Sequence, residues 1–387
     1  MTQPGRKLKT SSGYYAFMPD PLPPQLRWTP DLVRTLSNAD RAIGKLAGEG
    51  RRLPNPHVLM RPFIAREAVL SSRIEGTHAT LGELLAADAG AILKKSPADL
   101  QEVGNYVAAL EFGLHRLKKD HLTFDLILDL HYNLMNGVRG GAAHPGMIRS
   151  SQNWVGLPGS TAFEASYVPP PPEKLNELMG DLAAFMTQKA LPPLVSAALL
   201  HYQFEAIHPF LDGNGRLGRL LITLFLVDRA ILPTPLLYLS AFFEASRAEY
   251  YRCLRAVTEE GDWNRWLQYF LGGIALQSND ALNRASRIVD LLDQWRVLAA
   301  EFPGSTPVSL LNLLAGNPFV TIPGVSEKLG VARSTASRAI EYLVRQGILE
   351  QTGSRKRDRS WLAPALLRIL EEPALLYSSD TLSTPVE

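Results

Sequence analysis

The chain has 387 residues, 46% of them hydrophobic, and a formal net charge of +2 at pH 7. This length exceeds that of one compact core, so we expect two or three domains. The small net charge excludes a uniformly basic nucleic-acid-binding protein, and any basic surface must be local. The single cysteine excludes an internal disulfide, and no apolar run is long enough to span a bilayer. We therefore expect a cytoplasmic protein without a secretion signal or a membrane partner.

The first 136 residues are predicted to form an extended arm followed by helices. Several prolines before residue 25 predict an arm over 1–30 that wraps another element. Apolar residues at helical spacing then predict helices. Pro62 suits the first turn of one of them, and Gly76 suits the position after its end. The predicted helices span 30–46, 62–75, 81–93, 98–119 and 123–136.

The stretch 137–172 is rich in glycine and proline and predicts a small β-hairpin rather than a helix. Its two β-prone pieces, Trp154–Val155 and Ser166–Val168, flank a turn-rich middle. Beyond this stretch, helical spacing resumes. The predicted helices span 173–188, 193–206, 216–230, 244–259, 263–276 and 279–301.

The pattern changes again near residue 302. Residues 323–338 predict a short helix, a turn and a second helix, while 348–350 and 360–362 predict two strands around a basic turn. This order is typical of a small winged helix-turn-helix domain. The predicted fold class is therefore mainly α: a helical core with a small β-hairpin, followed by a C-terminal winged helix-turn-helix domain and a disordered tail.

The segment 208–219, HPFLDGNGRLGR, places a base, a carboxylate, glycines and two arginines in one loop and the start of a helix. Gly213 and Gly215 let backbone N–H groups approach phosphate oxygens, and the helix N-terminus adds a positive dipole. Arg216 and Arg219 are three residues apart, so they share one helix face and can reach an oligophosphate together. The segment therefore predicts a phosphate-binding loop.

Two side chains of this segment supply reactive groups. His208 is a reasonable base for a hydroxyl, since an unperturbed imidazole has a pKa of about 6.5. Asp212 beside phosphates is a natural Mg²⁺ ligand. A dinucleotide-binding fingerprint is rejected because the preceding residues predict a helix instead of a strand. The spacing of His201 and His208 does not fit a common zinc motif either.

This segment resembles the Fic family motif His-x-Phe-x-Asp/Glu-Gly-Asn-Gly-Arg-x-x-Arg at every position. Enzymes of this family usually transfer AMP from ATP to a hydroxyl of a target protein. The resemblance implies ATP as the substrate, His208 as the general base, Asp212 as the Mg²⁺ ligand and Arg219 as the γ-phosphate contact. Gly215, where related Doc kinases carry lysine, favours AMP transfer. The implied nucleotide-binding residues are Gly213, Asn214, Gly215, Arg216, Leu217, Gly218 and Arg219.

A second motif, Ser71 to Gly76, resembles the inhibitory motif Ser/Thr-x-x-x-Glu-Gly/Asn of Fic proteins with an N-terminal inhibitory helix. Glu75 lies at the C-terminal end of a predicted helix, where the macrodipole disfavours a carboxylate, so it needs a cation. Arg219 is the candidate, and the pair would occupy the arginine that binds the γ-phosphate. Ser71, one turn earlier, is expected to orient the carboxylate. A solvated glutamate is the alternative.

The predicted hairpin resembles the target-docking flap of the family, because an exposed strand edge can dock an extended target segment. An ordinary surface hairpin is the alternative. Tyr250 and Tyr251 stand where the resemblance places adenine-side contacts, and core packing is the alternative for both. The implied flap residues are Trp154, Val155, Gly156, Tyr167 and Val168.

Basic residues are concentrated on the second helix and the turn of the predicted winged helix. In such domains the second helix enters the major groove of DNA, and basic wing residues contact phosphate. A winged helix that serves dimerisation or docking, with a solvated basic wing, is the alternative. The candidate DNA-binding residues are Arg333, Arg338, Arg355, Lys356 and Arg357.

The predicted function is a protein adenylyltransferase that modifies a Ser, Thr or Tyr hydroxyl of a target protein, or of itself, and is autoinhibited by Glu75. The alternatives are a nucleotide-sensing transcription regulator, an enzyme that removes AMP at the same site, and an enzyme that transfers another phosphate-linked group, such as UMP or phosphocholine. We expect a homodimer. The predicted domains are an N-terminal arm with the inhibitory region (1–110), a catalytic core (111–300), the winged helix (301–377) and the tail (378–387).

Overall fold

The structure is a computed structural model that describes residues 4–51, 56–91, 97–138, 144–157, 159–233, 235–353 and 358–374. These residues are mainly helical, with a two-stranded sheet at the N-terminus and a three-stranded sheet near the C-terminus. The predicted mainly α fold class is confirmed. Within the described ranges, no helix is long and apolar enough to cross a membrane.

The helical body precedes the C-terminal module, and short polar side chains set several of its helix starts. Thr29 Oγ1 accepts from Leu32 N at 3.2 Å at the start of the first helix, and Thr80 and Glu83 form a capping box at the start of the third. A 3-10 turn, Pro172–Lys174, leads into the sixth. The helices are α1 (Pro30–Gly50), α2 (Pro56–Ile74), α3 (Leu81–Asp88), α4 (Pro97–Arg116), α5 (Phe124–Met135), α6 (Leu175–Thr187), α7 (Pro193–Ile207), α8 (Asn214–Asp228), α9 (Ser240–Ala245), α10 (Arg247–Glu260) and α11 (Trp263–Ala300).

Several predicted helix bounds were wrong, and packing explains the differences. α2 begins at Pro56, so Pro62 lies inside the helix and not in its first turn. Burial of the apolar residues of α2 outweighs the hydrogen bond that Pro62 cannot donate. The patterns at 263–276 and 279–301 form one continuous helix, α11, against which α1 packs. The pattern at 244–259 is divided between α9 and α10.

The N-terminal arm is a β-hairpin. Strands β1 (Gly5–Lys9) and β2 (Tyr15–Pro19) pair antiparallel, with Gly5 opposite Pro19. These strands were not predicted, because the prolines indicated only an extended arm. The hairpin contacts α7, where Gln203 Nε2 donates to Asp20 O at 3.0 Å. The arm therefore contacts another element, but as a paired hairpin and not as the extended, wrapping arm that was predicted.

The C-terminal module contains the predicted helix-turn-helix and the predicted strand at 360–362, whereas the strand predicted at 348–350 lies at 350–352. Strand β5 is the middle strand of the sheet and pairs antiparallel with both β3 and β4. The wing residues Arg355, Lys356 and Arg357 and the tail 378–387 lie outside the described residues. The elements are α12 (Thr306–Gly316), β3 (Phe319–Thr321), α13 (Ile322–Leu329), α14 (Arg333–Arg345), β4 (Glu350–Thr352), β5 (Ser360–Leu362) and α15 (Pro364–Glu371).

This module packs directly against the helices near the N-terminus. Asn317 Nδ2 donates to Leu85 O at 2.8 Å, and Arg66 of α2 donates from Nη2 to Glu372 O at 3.2 Å. One cluster of buried apolar side chains spans both parts of the chain. The predicted boundary after residue 110 falls inside α4, and the division into domains stays a prediction.

Candidate active site

The segment 208–219 forms the loop between α7 and α8 and the first turns of α8. α7 ends at Ile207, and His208 adopts a left-handed conformation with φ of 50° and ψ of 59°. Gly213 is also left-handed, with φ of 82°, and α8 begins at Asn214. Because the first N–H groups of a helix have no partner within it, this end of α8 offers donors to the loop. The backbone therefore has the form that an anion-binding loop needs.

Phe210 and Asn214 hold the loop in this form. Phe210 is fully buried, and its ring stacks on that of His131 with the centroids 3.7 Å apart. Asn214 Oδ1 accepts from Phe210 N at 2.9 Å, and Asn214 Nδ2 donates to Phe210 O at 2.8 Å. The side chain of Asn214 is thus occupied in shaping the loop. Of the predicted phosphate contacts of Asn214, only the one from its backbone N–H group therefore remains.

His208 presents one ring nitrogen as a base. Its Nδ1 lies 3.3 Å from Glu205 O, and because a carbonyl oxygen only accepts, Nδ1 carries the proton and Nε2 keeps its lone pair. Burial lowers the pKa of His208 to about 4, and the charge of Arg149 acts in the same direction, whereas Glu75 and Asp212 oppose it. The ring is therefore neutral at pH 7 and able to accept a proton.

We expect a reaction that uses His208 as its base to keep its rate down to acid pH. The neutral ring is the active form, and since its pKa is lowered from 6.5 to about 4, protonation removes the base only as the pH falls toward 4. The measurement is the pH dependence of kcat/KM for a Glu75→Gly protein, in which the carboxylate that raises this pKa is absent. Circular dichroism at each pH controls for unfolding. An acid limb near pH 6.5 would contradict this expectation.

The structure contains the predicted ion pair between Glu75 and Arg219. Arg219 Nη2 donates to Glu75 Oε1 at 2.7 Å, and the Arg219 side chain is only 2% exposed. Burial alone would raise the pKa of Glu75, but the charge and hydrogen bond of Arg219 outweigh it and lower that pKa. Burial alone would lower the pKa of Arg219, but the charge and hydrogen bond of Glu75 outweigh it and raise that pKa. Both groups are therefore charged, and the cation beside the loop is engaged.

Ser71 contacts the arginine and not the carboxylate, which corrects the sequence-based expectation. Arg219 Nε donates to Ser71 Oγ at 2.9 Å, and Arg219 Nη2 donates to Ser71 O at 2.9 Å. The serine is fully buried, so these bonds are shielded from water. They fix the plane of the guanidinium group and thereby direct Nη2 toward Glu75.

A side chain at position 215 would collide with the ion pair. A Cβ atom built on Gly215 would lie 2.3 Å from Glu75 Oε1 and 3.1 Å from Arg219 Nη1. Gly215 therefore allows Glu75 to lie over the first turn of α8, in addition to any approach of a phosphate. Gly218 is equally confined, because its Cβ would lie 2.4 Å from Glu205 Oε1. At both positions a side chain would displace the carboxylate of a neighbouring glutamate.

Arg216 points toward two carboxylates beside the loop. Its Nη2 lies 3.5 Å from Asp212 Oδ1, and its Nη1 lies 3.3 Å from Glu102 Oε2. The Asp212 side chain is 59% exposed and is open to a ligand. Glu102 was not predicted, because it lies 114 residues from Arg216 and no local pattern signals such a pair. The arginine is therefore held in place before any phosphate arrives.

A single exposed carboxylate fits an Mg²⁺ ion that arrives with a nucleotide. Across the described ranges, no group of three or more His, Cys, Asp or Glu residues could hold a metal ion by itself. Mg²⁺ commonly takes one or two carboxylates together with substrate phosphate oxygens and water. The donor set around Asp212 therefore suits a metal that is bound as part of the substrate.

Tyr250 and Leu217 lie in the core, which corrects their predicted nucleotide contacts. The Tyr250 hydroxyl lies 2.8 Å from His201 Nε2, and both the Tyr250 and the Leu217 side chains are buried. His201 is buried in this contact. Tyr251 is 40% exposed, and burial of its hydroxyl together with the charge of Glu75 raises its pKa. Tyr251 is thus the exposed member of the pair.

The predicted hairpin is reduced to a single β-bridge. Val155 N donates to Tyr167 O at 2.8 Å, and Tyr167 N donates to Val155 O at 3.1 Å. The Tyr167 hydroxyl donates to Ala206 O at 2.6 Å, two residues before His208. We call residues 154–168 the flap. This bond ties the flap to the C-terminal end of α7, immediately before His208.

One edge of the flap is covered and the other is open. Val168 O accepts from Phe17 N at 2.8 Å, so the N-terminal hairpin covers the edge beside Val168. Because Val155 exchanges both bonds with its partner strand, the antiparallel pattern turns the backbone groups of Trp154 and Gly156 to the opposite edge. The side chains of Trp154 and Val155 are each 41% exposed there.

On the C-terminal module, Arg333 and Arg338 are exposed on α14, the second helix of the helix-turn-helix. Ala336, Ala339 and Ile340 form the buried face of the same helix. The basic side chains therefore point away from the core of the module.

Three family models match separate parts of this chain. The Fic/DOC family N-terminal model matches residues 33–115, the Fic/DOC family model matches 121–226, and the MarR family model matches 302–360. Among curated proteins, protein adenylyltransferase fic-1 of Caenorhabditis elegans is 30% identical over 232 residues, which cover 54% of this chain and 42% of that protein. Protein adenylyltransferase Fic of Nematostella vectensis is 33% identical over 173 residues, or 42% of this chain and 37% of that protein. The chain spans less than half the length of these relatives.

Solved structures share the fold. A Fic family protein from Desulfovibrio desulfuricans G20 superposes with a TM-score of 0.59 at 22% identity, over 88% of this chain and 98% of that one. A fragment of Fic-1 from C. elegans superposes with a TM-score of 0.50 at 24% identity, over 68% of this chain and 75% of that one.

Proposed function

We propose, from the match of residues 33–115 and 121–226 to the Fic/DOC family models, that this chain is a protein adenylyltransferase that transfers AMP from ATP to a Ser, Thr or Tyr hydroxyl of a target protein, with the chain itself as a further acceptor. The observation that carries the proposal is the intact 208–219 loop. It combines a neutral histidine with a free Nε2, an exposed carboxylate and two arginines at the start of α8.

The reaction that these groups support is an in-line displacement at the α-phosphorus. His208 Nε2 takes the proton of the acceptor hydroxyl, and the oxygen forms a bond to the α-phosphorus. The bond from the α-phosphorus to the bridging oxygen breaks, and pyrophosphate leaves with the electron pair. The N–H groups at the start of α8, with Arg216 and Arg219, offset the negative charge of the phosphates. Asp212 would hold the Mg²⁺ that accompanies ATP and neutralises its phosphates.

We further propose that Glu75 inhibits this reaction. In the structure Arg219 Nη2 donates to Glu75 Oε1 at 2.7 Å and to Ser71 O, and Arg219 Nε donates to Ser71 Oγ. These two nitrogens are therefore not available to a γ-phosphate. The Glu75 carboxylate, which lies over Gly215, would also repel the anionic phosphates.

The open edge of the flap is the proposed docking place for the target. An extended target segment would add as a strand along Trp154 and Gly156, because the edge beside Val168 is already covered. The bond from Tyr167 to Ala206 O keeps this edge close to His208. Tyr251 is the proposed adenine-side contact. We also propose a homodimer, on the basis of the resemblance, and light scattering measures this oligomeric state. A cytoplasmic location is proposed from the composition.

The position of the label that ATP leaves on protein tests the reaction. We expect the Glu75→Gly protein, alone or mixed with a cell extract, to place label from the α-phosphate of ATP on protein, while label from the γ-phosphate leaves with pyrophosphate. Label from the γ-phosphate on protein would identify a kinase instead. The mass of the adduct separates AMP from UMP or phosphocholine, and incubation of purified adduct without ATP reports any AMP removal.

A second candidate function, DNA binding by the C-terminal module, is favoured by its match to the MarR family and by the exposed arginines of α14. We expect Arg333→Ala and Arg338→Ala each to weaken binding to duplex DNA and to lower the slope of log affinity against log salt by about 1. Arg345→Ala, at the far end of the same helix, is the matched control, since Arg345 lies over the ring of Tyr342. Equal effects of all three changes, or no binding at low salt, would exclude this role.

A further inference from the structure

Arg149 is a buried arginine that has no role in the reaction steps proposed above. Its side chain is 3% exposed. Its Nε donates to His208 O at 2.9 Å, its Nη1 donates to Ser151 O at 3.1 Å, and its Nη2 donates to Pro170 O at 2.5 Å. The Arg149 backbone N also donates to Pro209 O at 3.0 Å. All three side-chain nitrogens of the guanidinium therefore bind backbone carbonyl groups.

The partners of Arg149 are unusual for a buried cation. Within the described ranges, no carboxylate forms an ion pair with it, and burial lowers its pKa to about 10. A buried charge normally has a counterion, because its removal from water is costly. Carbonyl oxygens only partly offset this cost, so the fold retains a charge that an apolar side chain of similar size would avoid. A role in the geometry of the site explains why this position carries an arginine.

The four carbonyl groups belong to the two parts of the site that must be kept in register. His208 O and Pro209 O lie in the loop that carries the base, whereas Ser151 O and Pro170 O lie at the two ends of the flap. His208 is left-handed with φ of 50°, a conformation that is unfavourable for a residue other than glycine. The bond from Arg149 Nε holds the carbonyl that this conformation turns out of α7.

We propose that Arg149 is a positioning residue that joins the His208 loop and both ends of the flap into one rigid unit, so that an acceptor hydroxyl docked on the flap meets Nε2 of His208. This inference rests on the proposed function, in which the flap presents the acceptor. The reacting atoms of such a transfer must lie about 3–3.5 Å apart, and a misplacement of about 1 Å can cost roughly 10²-fold in rate.

The test compares Arg149→Met and Arg149→Lys in the Glu75→Gly protein. Methionine removes both the charge and the three hydrogen bonds, whereas lysine keeps the charge but cannot reach three carbonyls at once. Arg229→Met is the matched control, because Arg229 also donates only to carbonyls, those of Met186 and Gln188, at the far end of α8. Thermal unfolding confirms that each protein is folded.

We expect both Arg149 variants to lower single-turnover AMP transfer by about 10–100-fold and to leave ATP affinity within about twofold of the parent, since the groups that hold phosphate are untouched. The Arg229→Met protein should transfer AMP at the parental rate. An NMR titration of His208, in metal-free protein, supplies a readout that does not depend on activity. The charged groups near this ring are Arg149, Asp212 and, in the parent chain, Glu75. Its pKa should rise in Arg149→Met, stay near the parental value in Arg149→Lys, and not change in Arg229→Met.

Parental transfer rates in both Arg149 variants, or a loss equal to that of Arg229→Met, would overturn the inference. A loss of ATP affinity by the same factor as transfer would also overturn it, because it would show a general distortion of the loop. If the parent itself transfers no AMP, the proposed function fails. The titration then still tests the contact between Arg149 and His208. A His208 pKa that changes in Arg149→Met but not in Arg229→Met supports this contact, and identical titration curves in the two variants refute it.

Discussion

Replacing Glu75 with glycine is expected to raise AMP transfer about tenfold or more, within the roughly 5–150-fold that couplings between two sites usually reach. The reason lies in the state of Arg219. Its side chain is 2% exposed, and its Nη2 donates to Glu75 Oε1 at 2.7 Å, so in the resting protein this buried cation already has an anionic partner where a γ-phosphate would bind. Loss of the carboxylate leaves this buried cation uncompensated, and an anionic ligand then becomes its best partner.

The same change removes the atom that lies closest to Gly215. Glu75 Oε1 occupies the space next to this glycine, where a Cβ would lie only 2.3 Å away. A glycine at position 75 opens this space over the first turn of α8, and phosphate oxygens can then approach its N–H groups. We therefore expect ATP affinity to rise together with the rate. Calorimetry on both proteins measures that part of the effect.

Intact-mass spectrometry after incubation with ATP and Mg²⁺ measures the transfer, since each acceptor gains the mass of one AMP unit. Glu244→Ala is the matched control, because Glu244 pairs at 3.8 Å with Arg73, near the end of the same helix, and Arg73 is 43% exposed whereas Arg219 is 2% exposed. Such surface pairs contribute little, about 0–1 kcal/mol, so this change should leave the rate unaltered. Equal adduct levels in the wild-type and Glu75→Gly proteins, with equal ATP affinity, would show that Glu75 is not an inhibitor.

Removing the base from the Glu75→Gly protein is expected to lower AMP transfer by about 10²–10⁴-fold, the usual contribution of a general base. The His208 ring donates from Nδ1 to Glu205 O at 3.3 Å, and burial lowers its pKa to about 4, so at pH 7 its Nε2 is ready to accept a proton. Among the described side chains of the loop, no other offers a neutral nitrogen lone pair, because the two other basic residues of the loop are arginines. ATP binding should persist, since the N–H groups of α8 and both arginines remain.

Two substitutions separate the loss of the base from a change of the backbone. His208→Ala removes the ring, but alanine is strained at the φ of 50° that this position adopts. His208→Asn also lacks a base, and asparagine tolerates this conformation better than most residues. We expect equal losses of transfer in the two variants and ATP affinity close to that of the Glu75→Gly parent. Transfer that survives in both would assign proton abstraction to another group or to water.

Much of this site was predictable because its parts are contiguous in the chain. The base, the carboxylate, the glycines and both arginines lie within 208–219, so the spacing of residue types alone indicates a helix start facing an anion. The starts of α1 and α3, at residues 30 and 81, were predicted from the helical spacing of apolar residues, which is also a short-range signal. For Glu75, whose partner lies 144 residues away, the position at a helix end indicated the need for a cation, and the resemblance supported Arg219 as that cation.

The tertiary structure decided how these parts contact one another. It directs Ser71 to the arginine and not to the carboxylate, places Tyr250 in the core and leaves Tyr251 exposed, and leaves the side chain of Asn214 to shape the loop. It also brings Arg149 to the carbonyl of His208. None of these contacts has a signature in spacing, because each depends on which faces of distant helices and loops meet.

The sequence by itself therefore determined the chemistry of the loop, the helical class and the winged helix, since these follow from residue types and periodicity over short stretches. Only the tertiary structure decided which groups are already paired, which remain open and what holds them in place. The physical reason is that burial and long-range hydrogen bonds arise when separate elements pack, and the same side chain is a ligand, a counterion or a support according to the neighbours that packing provides.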